Sequence, residues 1–175
     1  SQPSIHGTKL WKSSALIIDY LGKNPPPYFD QVIDVGCGWG IGGIWCAKKL
    51  ASKVTSMDAD PDVFRFLEIT ANINNVETTH LRLKFEQLRK KDLKKFDLLI
   101  AADICFWDEL VNPVCRMIER AIKADVKQIV ISDPERPTFL KMAGHCLKKY
   151  GGELLEIETK GSINARGCLL VINNY

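Results

Sequence analysis

Short apolar runs that close on an acidic residue recur along the chain. Lys53-Val-Thr-Ser-Met57 leads to Asp58, Phe96-Asp-Leu-Leu-Ile-Ala-Ala102 to Asp103, and Lys127-Gln-Ile-Val-Ile-Ser132 to Asp133. Gln31-Val-Ile-Asp-Val35 runs into Gly36 instead. Runs this short and this rich in β-branched residues predict buried strands. A further strand is expected at His80–Lys84. Helical spacing fills the gaps: Ile41–Leu50, a helix with Pro61 at its first position that runs to Asn74, Asp108–Ala124, and Pro137–Tyr150 stopped by Gly151-Gly152. The tail changes pattern. Glu153–Thr159 and Arg166–Asn173 read as two strands, and the short loop between them permits only antiparallel pairing.

Five strand–helix units followed by a hairpin predict an α/β fold with a mostly parallel sheet and helices on both faces. An N-terminal helix over about Trp11–Leu21 precedes the first strand, joined to it by the stiff Pro25-Pro26-Pro27 link. About 24 residues cannot bury a core of their own. One domain over 1–175 is therefore expected, with 1–24 as a helical cover and 30–175 as the core.

Composition narrows the class. Of 175 residues, 46% are hydrophobic and 26% charged, which suits a globular chain and not a disordered one. No apolar run approaches the ~20 residues that span a bilayer. Ser1-Gln2-Pro3-Ser4 lacks the charged and apolar regions of a signal peptide, and the start on Ser rather than Met suggests a trimmed chain with an upstream segment. The six cysteines form no C-x-x-C pair, so free thiols in the cytoplasm are expected. Net charge is +3, but seven cations against Glu86 and Asp92 give residues 80–95 a balance of +5. That stretch is either a solvated face or a docking patch for an acidic partner, protein or RNA.

The chemistry gathers around Asp34-Val-Gly36-Cys-Gly38-Trp-Gly40. These glycines lie between a strand and a helix, where they allow a tight turn and close approach of backbone to a ligand. Asp58 follows Gly36 by 22 residues at the end of the next strand, where a carboxylate can accept both hydroxyls of a ribose. A dinucleotide site would need a glycine where Ile41 stands. Asp34, Asp58 and Asp103 would all lie at the ligand-binding ends of strands and would repel a pyrophosphate. They suit a ligand with an ammonium, a sulfonium and a ribose, which S-adenosyl-L-methionine combines.

The loop, Asp58, the strand–helix units and the terminal hairpin resemble the seven-strand (class I) S-adenosylmethionine-dependent methyltransferases, over essentially the whole chain from Trp11. Within that group the likeness is to the small protein-lysine methyltransferases. Trp11-Lys-Ser-Ser-Ala-Leu16 resembles their W-x-x-(S/A)-x-x-L helix, and Ile44-Trp-Cys-Ala47 their G-I-x-x-A helix. Leu83-Lys-Phe-Glu86 resembles their L-D-W-G segment, and Ala102-Asp-Ile-Cys-Phe106 their A-(D/E)-x-x-(Y/F) motif. The resemblance implies a Rossmann-like, doubly wound sheet with an antiparallel seventh strand between strands five and six.

It also implies roles. Trp11 would cover the methionine end of the cofactor, and Asp34 with Gly36, Cys37, Gly38 and Gly40 would hold its amino-acid portion. Asp58 and Ala59 would meet the ribose, Phe85 the adenine, and Ala102 and Asp103 the reacting end. Lys84 stands where the family carries an acid and Phe106 where tyrosine is commoner. Asp133-Pro-Glu-Arg136 resembles a segment of some members. Asp103 and Phe106 are the expected catalytic residues, the acid aligning a lysine amine and the aromatic ring, with Trp107, lining its channel. Ile104 and Cys105 replace the prolines of the (N/D/S)-P-P-(Y/F) motif, which disfavours amide and base acceptors. No metal site is expected, because Asp58 is taken by ribose and His6, His80 and His145 are scattered. RNA or a small molecule remains the alternative acceptor.

Overall fold

The structure is a computed structural model that describes residues 6–175, with side chains from Lys12 onward. Seven strands form one sheet: β1 (Gln31–Val35), β2 (Lys53–Asp58), β3 (Thr79–Arg82), β4 (Leu98–Ala102), β5 (Gln128–Asp133), β6 (Glu153–Thr159) and β7 (Ala165–Asn173). Their order is β3-β2-β1-β4-β5-β7-β6. The first five are parallel; β7 inserts antiparallel between β5 and β6. This is the seven-strand arrangement that the family resemblance implies.

Alternation along the strands sorts the helices. Val32, Leu98, Ile100 and Val130 pack with Leu16 and Ile17 of α1 (His6–Lys23) and Cys46 of α2 (Ile41–Lys49). Ile33, Val35, Leu99, Ala101 and Ile129 face the opposite way. They pack with Leu93 of α4 (Lys90–Leu93), Val114 and Ile118 of α5 (Asp108–Lys123), and Phe139 of α6 (Pro137–Tyr150). α3 (Val63–Ile73) rests on α2 through Leu67, Ala71 and Ile44. Both faces of the sheet are thus covered, as near-continuous apolar strands require. All six cysteines are buried and free. Among the described residues, no helix is long and apolar enough to cross a membrane.

Boundaries differ from the sequence pattern where local hydrogen bonds compete with the ladder. β4 begins at Leu98 rather than Phe96, because the Phe96 amide is held by the Leu93 carbonyl at 3.1 Å. Asp97 serves β1 instead: its amide donates to the Gln31 carbonyl and its carboxylate accepts the Gln31 amide. β3 stops at Arg82, since the chain then enters a 3-10 turn over Phe85–Gln87 whose Gln87 side chain accepts the Lys84 amide at 2.8 Å. α3 begins at Val63, with Pro61 in the turn before it.

Candidate active site

The carboxyl ends of β1, β2 and β4 open onto a cavity of about 510 Å³. The glycine loop forms its floor. Gly36, Gly38 and Gly40 all take left-handed backbone, with φ of 65°, 53° and 79°. A Cβ on Gly36 would sit 2.8 Å from Ile104 Cγ2, and one on Gly40 would collide with Leu67. The loop is pinned to β2 by two bonds, from the Cys37 amide to the Met57 carbonyl (2.9 Å) and from the Gly38 amide to Asp58 Oδ2 (3.0 Å). Asp58 Oδ1 accepts the Asp60 amide at 2.9 Å. The carboxylate therefore fixes two backbone segments, and its remaining lone pairs are left for a ligand.

Gly36, Gly38, Asp58 and Ala59 line the cavity, and Phe85, Asp103 and Phe106 join them from the other side. Four of the expected residues are not on that wall. Asp34 is buried behind the loop, where Oδ2 accepts the Gly43 amide at 3.1 Å at the start of α2. Burial pushes its carboxyl up to about 7, against the lowering effect of the Gly43 amide. Cys37 is buried, and burial among Asp34 and Asp58 raises its thiol far above the usual range. Gly40 shapes the entry to α2, and Ala102 is buried in the sheet. The side chain of Trp11 lies outside the described residues. Trp107, expected in the acceptor channel, is 66% exposed on the surface at the start of α5.

Asp103 occupies an unusual position. It has φ of 59°, rare for a residue with a side chain, and is only 2% exposed. Its amide donates to the Ser132 carbonyl at 2.8 Å, which fixes the turn against β5. Arg136 Nη1 donates to Asp103 Oδ1 and lies 3.3 Å from Asp133 Oδ1. The Arg136 amide donates to Asp133 Oδ2 at 2.7 Å. The guanidinium also lies 5.1 Å from the centroid of the Phe106 ring. Burial pushes Asp133 up to about 6, opposed by the Arg136 and Glu135 amides.

Two arginines therefore shape this site without having been singled out from sequence. Arg136 ties the end of β4 to the turn after β5. Arg120, from α5, donates to the Phe85 and Leu88 carbonyls at 2.8 Å each and holds the cavity wall that carries Phe85. The Asp-Pro-x-Arg segment was a visible signal for Arg136; nothing in the local sequence marks Arg120.

Residues 5–103 match the model of the methyltransferase small domain. The chain belongs to this family. Among relatives of this chain, the electron transfer flavoprotein beta subunit lysine methyltransferase of Xenopus laevis is 28% identical over 130 residues, 74% of this chain and 52% of that protein. The ribosomal protein L11 methyltransferase of Caldicellulosiruptor bescii is 28% identical over 165 residues, 94% of this chain and 50% of that protein. The chain spans about half the length of these relatives. A ribosomal protein L11 methylase structure from Lactobacillus delbrueckii subsp. bulgaricus superposes with a TM-score of 0.66 at 19% identity, covering 92% of this chain and 77% of that one. That likeness speaks for the fold alone. The class I methyltransferase fold thus agrees with the sheet order found here.

Proposed function

We propose that this methyltransferase uses S-adenosyl-L-methionine to methylate a lysine of a protein. The observation that carries the reading is one cavity lined together by Gly36, Gly38, Asp58, Phe85, Asp103 and Phe106. Its volume of about 510 Å³ falls within the ordinary range for small-molecule sites. The residues fit the cofactor: a loop that no side chain can fill at Gly36, a carboxylate with spare acceptors at Asp58, and an aromatic ring at Phe85. The cofactor, when bound, supplies the methyl group on a cationic sulfonium.

The chain's own task is to orient a neutral nucleophile. A free lysine with a pKa of about 10.4 is only ~0.04% neutral at pH 7, a cost of about 4.6 kcal/mol. Phe106 and Ile104 give the cavity apolar walls, which favour the neutral amine by desolvation. Arg136 adds a fixed cation beside Asp103, which also disfavours an ammonium there. Arg136 occupies Asp103 Oδ1 and leaves Oδ2 to accept an N–H from the acceptor and aim its lone pair. We read α1 as a cover on a single domain, because Ser132 Oγ donates to the Ser13 carbonyl of α1 at 2.7 Å. The buried free thiols support a reducing compartment such as the cytoplasm.

The relatives support a protein acceptor: one is named for a flavoprotein subunit, the other for a ribosomal protein. The test is transfer of label from methyl-tritiated S-adenosyl-L-methionine into a lysate of the source cells. Label that releases methyl-lysine on acid hydrolysis, and that falls at least a hundredfold with Asp103→Asn, is expected. Label in RNA or in small molecules would overturn the lysine reading.

A further inference from the structure

A second cavity of about 1020 Å³ adjoins the first and is not accounted for by cofactor binding. It lies among Lys12 and Ser13 of α1, the turn after β5 (134–137), the end of β6 and the start of β7. One ion pair links the two: Arg136 lines this cavity, and its partner Asp103 lines the smaller one. The loop between β6 and β7 is well organised. Thr159 Oγ1 donates to the Ile163 carbonyl at 2.9 Å and accepts the Ala165 amide at 3.0 Å, and Asn164 Oδ1 accepts the Gly161 amide.

Its charge is distinctive. Lys12, Arg136, Lys160 and Arg166 line it against Glu135 and Glu158, a balance of +2. Arg136 is committed to two aspartates, but Lys12, Lys160 and Arg166 are exposed and form no ion pair among the described residues. Glu158 and Arg166 are register partners across β6 and β7, which leaves Lys12 and Lys160 against Glu135, a surplus of one cation. Glu135 also forms no ion pair among the described residues, and is held at φ 75°. A lone lysine side chain entering here would face net repulsion. A nucleic acid would face two carboxylates. An acidic peptide carrying a lysine matches both signs, with its acids toward Lys12 and Lys160 and its lysine led past Glu135 toward Asp103.

We propose that this cavity docks the acceptor as a polypeptide segment whose target lysine is flanked by aspartate or glutamate. The proposal deepens the lysine reading above and rests on it for the acceptor's identity. Docking itself is measured without turnover. The probe is a fluorescent twelve-residue peptide with one central lysine among glutamates, followed by anisotropy with saturating S-adenosylhomocysteine. Peptides with serine or arginine in place of glutamate are the comparisons.

The acidic peptide is expected to bind at least tenfold more tightly than the serine peptide. Lys12→Glu with Lys160→Glu should abolish that preference. Lys91→Glu with Lys94→Glu, which changes net charge equally on the distant basic stretch, should leave it intact. Equal binding of the three peptides, a preference that survives Lys12→Glu with Lys160→Glu, or equal loss in both double variants would overturn the proposal. So would displacement of the peptide by a uridine oligonucleotide at a lower concentration than by unlabelled acidic peptide. Peptide that binds as expected but receives no methyl from the labelled donor would instead refute the lysine reading and leave the docking site standing.

Discussion

The carboxylate of Asp103 at the end of β4 is ion-paired with Arg136, 33 residues later in the turn after β5. The same guanidinium reaches Asp133 and lies near the Phe106 ring. One cation thus neutralises two carboxylates that burial would otherwise destabilise, and it fixes the acid on the wall of the smaller cavity. Its side chain is 23% exposed, whereas those of Asp103 and Asp133 are 2% and 0%.

Arg136→Met should therefore strip the partner from two buried acids. Breaking such a pair costs about 3 kcal/mol. A variant that also carries Asp103→Asn removes one of the orphaned charges and should recover part of that loss. Chemical denaturation of the two variants checks this. If the double variant is no more stable than Arg136→Met, the pair is not what holds the turn. S-adenosylhomocysteine affinity should change little in Arg136→Met while methyl transfer falls, because Arg136 acts through Asp103 as a positioning residue.

The glycine loop gives a second prediction. Gly36→Ala places a Cβ 2.8 Å from Ile104 Cγ2 at a φ of 65°. Left-handed backbone alone costs an alanine about 1–2 kcal/mol. The added methyl also intrudes on the cavity. S-adenosylhomocysteine affinity should drop well beyond the change in stability, as measured by calorimetric titration. Gly144→Ala is the control. It lies in α6 with nothing within 4 Å of the added Cβ, and should raise stability by up to about 1 kcal/mol without touching affinity. Equal affinities in the two variants would remove Gly36 from the binding site.

Much of this arrangement was legible in the sequence. The strands and the longer helices follow from the period of apolar residues, and the acids at the ends of β2 and β4, Asp58 and Asp103, mark the ligand end of the sheet. What was not legible has local or long-range causes. Lys90–Leu93 and Phe85–Gln87 are too short to show helical periodicity, so the wall that carries Phe85 could not be drawn. Asp34 looked like a ligand contact because it ends a strand beside the loop. Only its bond to the Gly43 amide shows that it turns toward α2. Arg120 reads as an ordinary helix cation until the chain folds and brings the Phe85 carbonyl to it.

Arg120 supplies a third prediction. Arg120→Met removes both bonds to the Phe85 and Leu88 carbonyls but keeps the aliphatic stem. The loss in stability should be about 1 kcal/mol. The turn that carries Phe85 should loosen, and S-adenosylhomocysteine affinity should fall roughly tenfold, equivalent to about 1.4 kcal/mol. Unchanged affinity alongside reduced stability would mean that Phe85 holds its position without the arginine.

Asp34 makes the fold sensitive to pH. Its carboxyl is pushed from the usual 3.8 up to about 7, chiefly by burial. Between those values the folded chain holds a proton that the unfolded chain has released. Stability from this group is therefore fully present below pH ~4 and declines as pH rises toward 7, by up to about 4 kcal/mol. Asp133, raised to about 6 for the same reason, adds a decline of the same sign. Asp34→Asn separates the two. Asparagine can still accept the Gly43 amide through its side-chain oxygen but carries no charge to expose. The variant should lose less stability than the native chain between pH 4 and 8 and should overtake it, or narrow any deficit, at the upper end. Parallel stability curves for the two proteins would show that Asp34 is ionised in the folded state throughout that range.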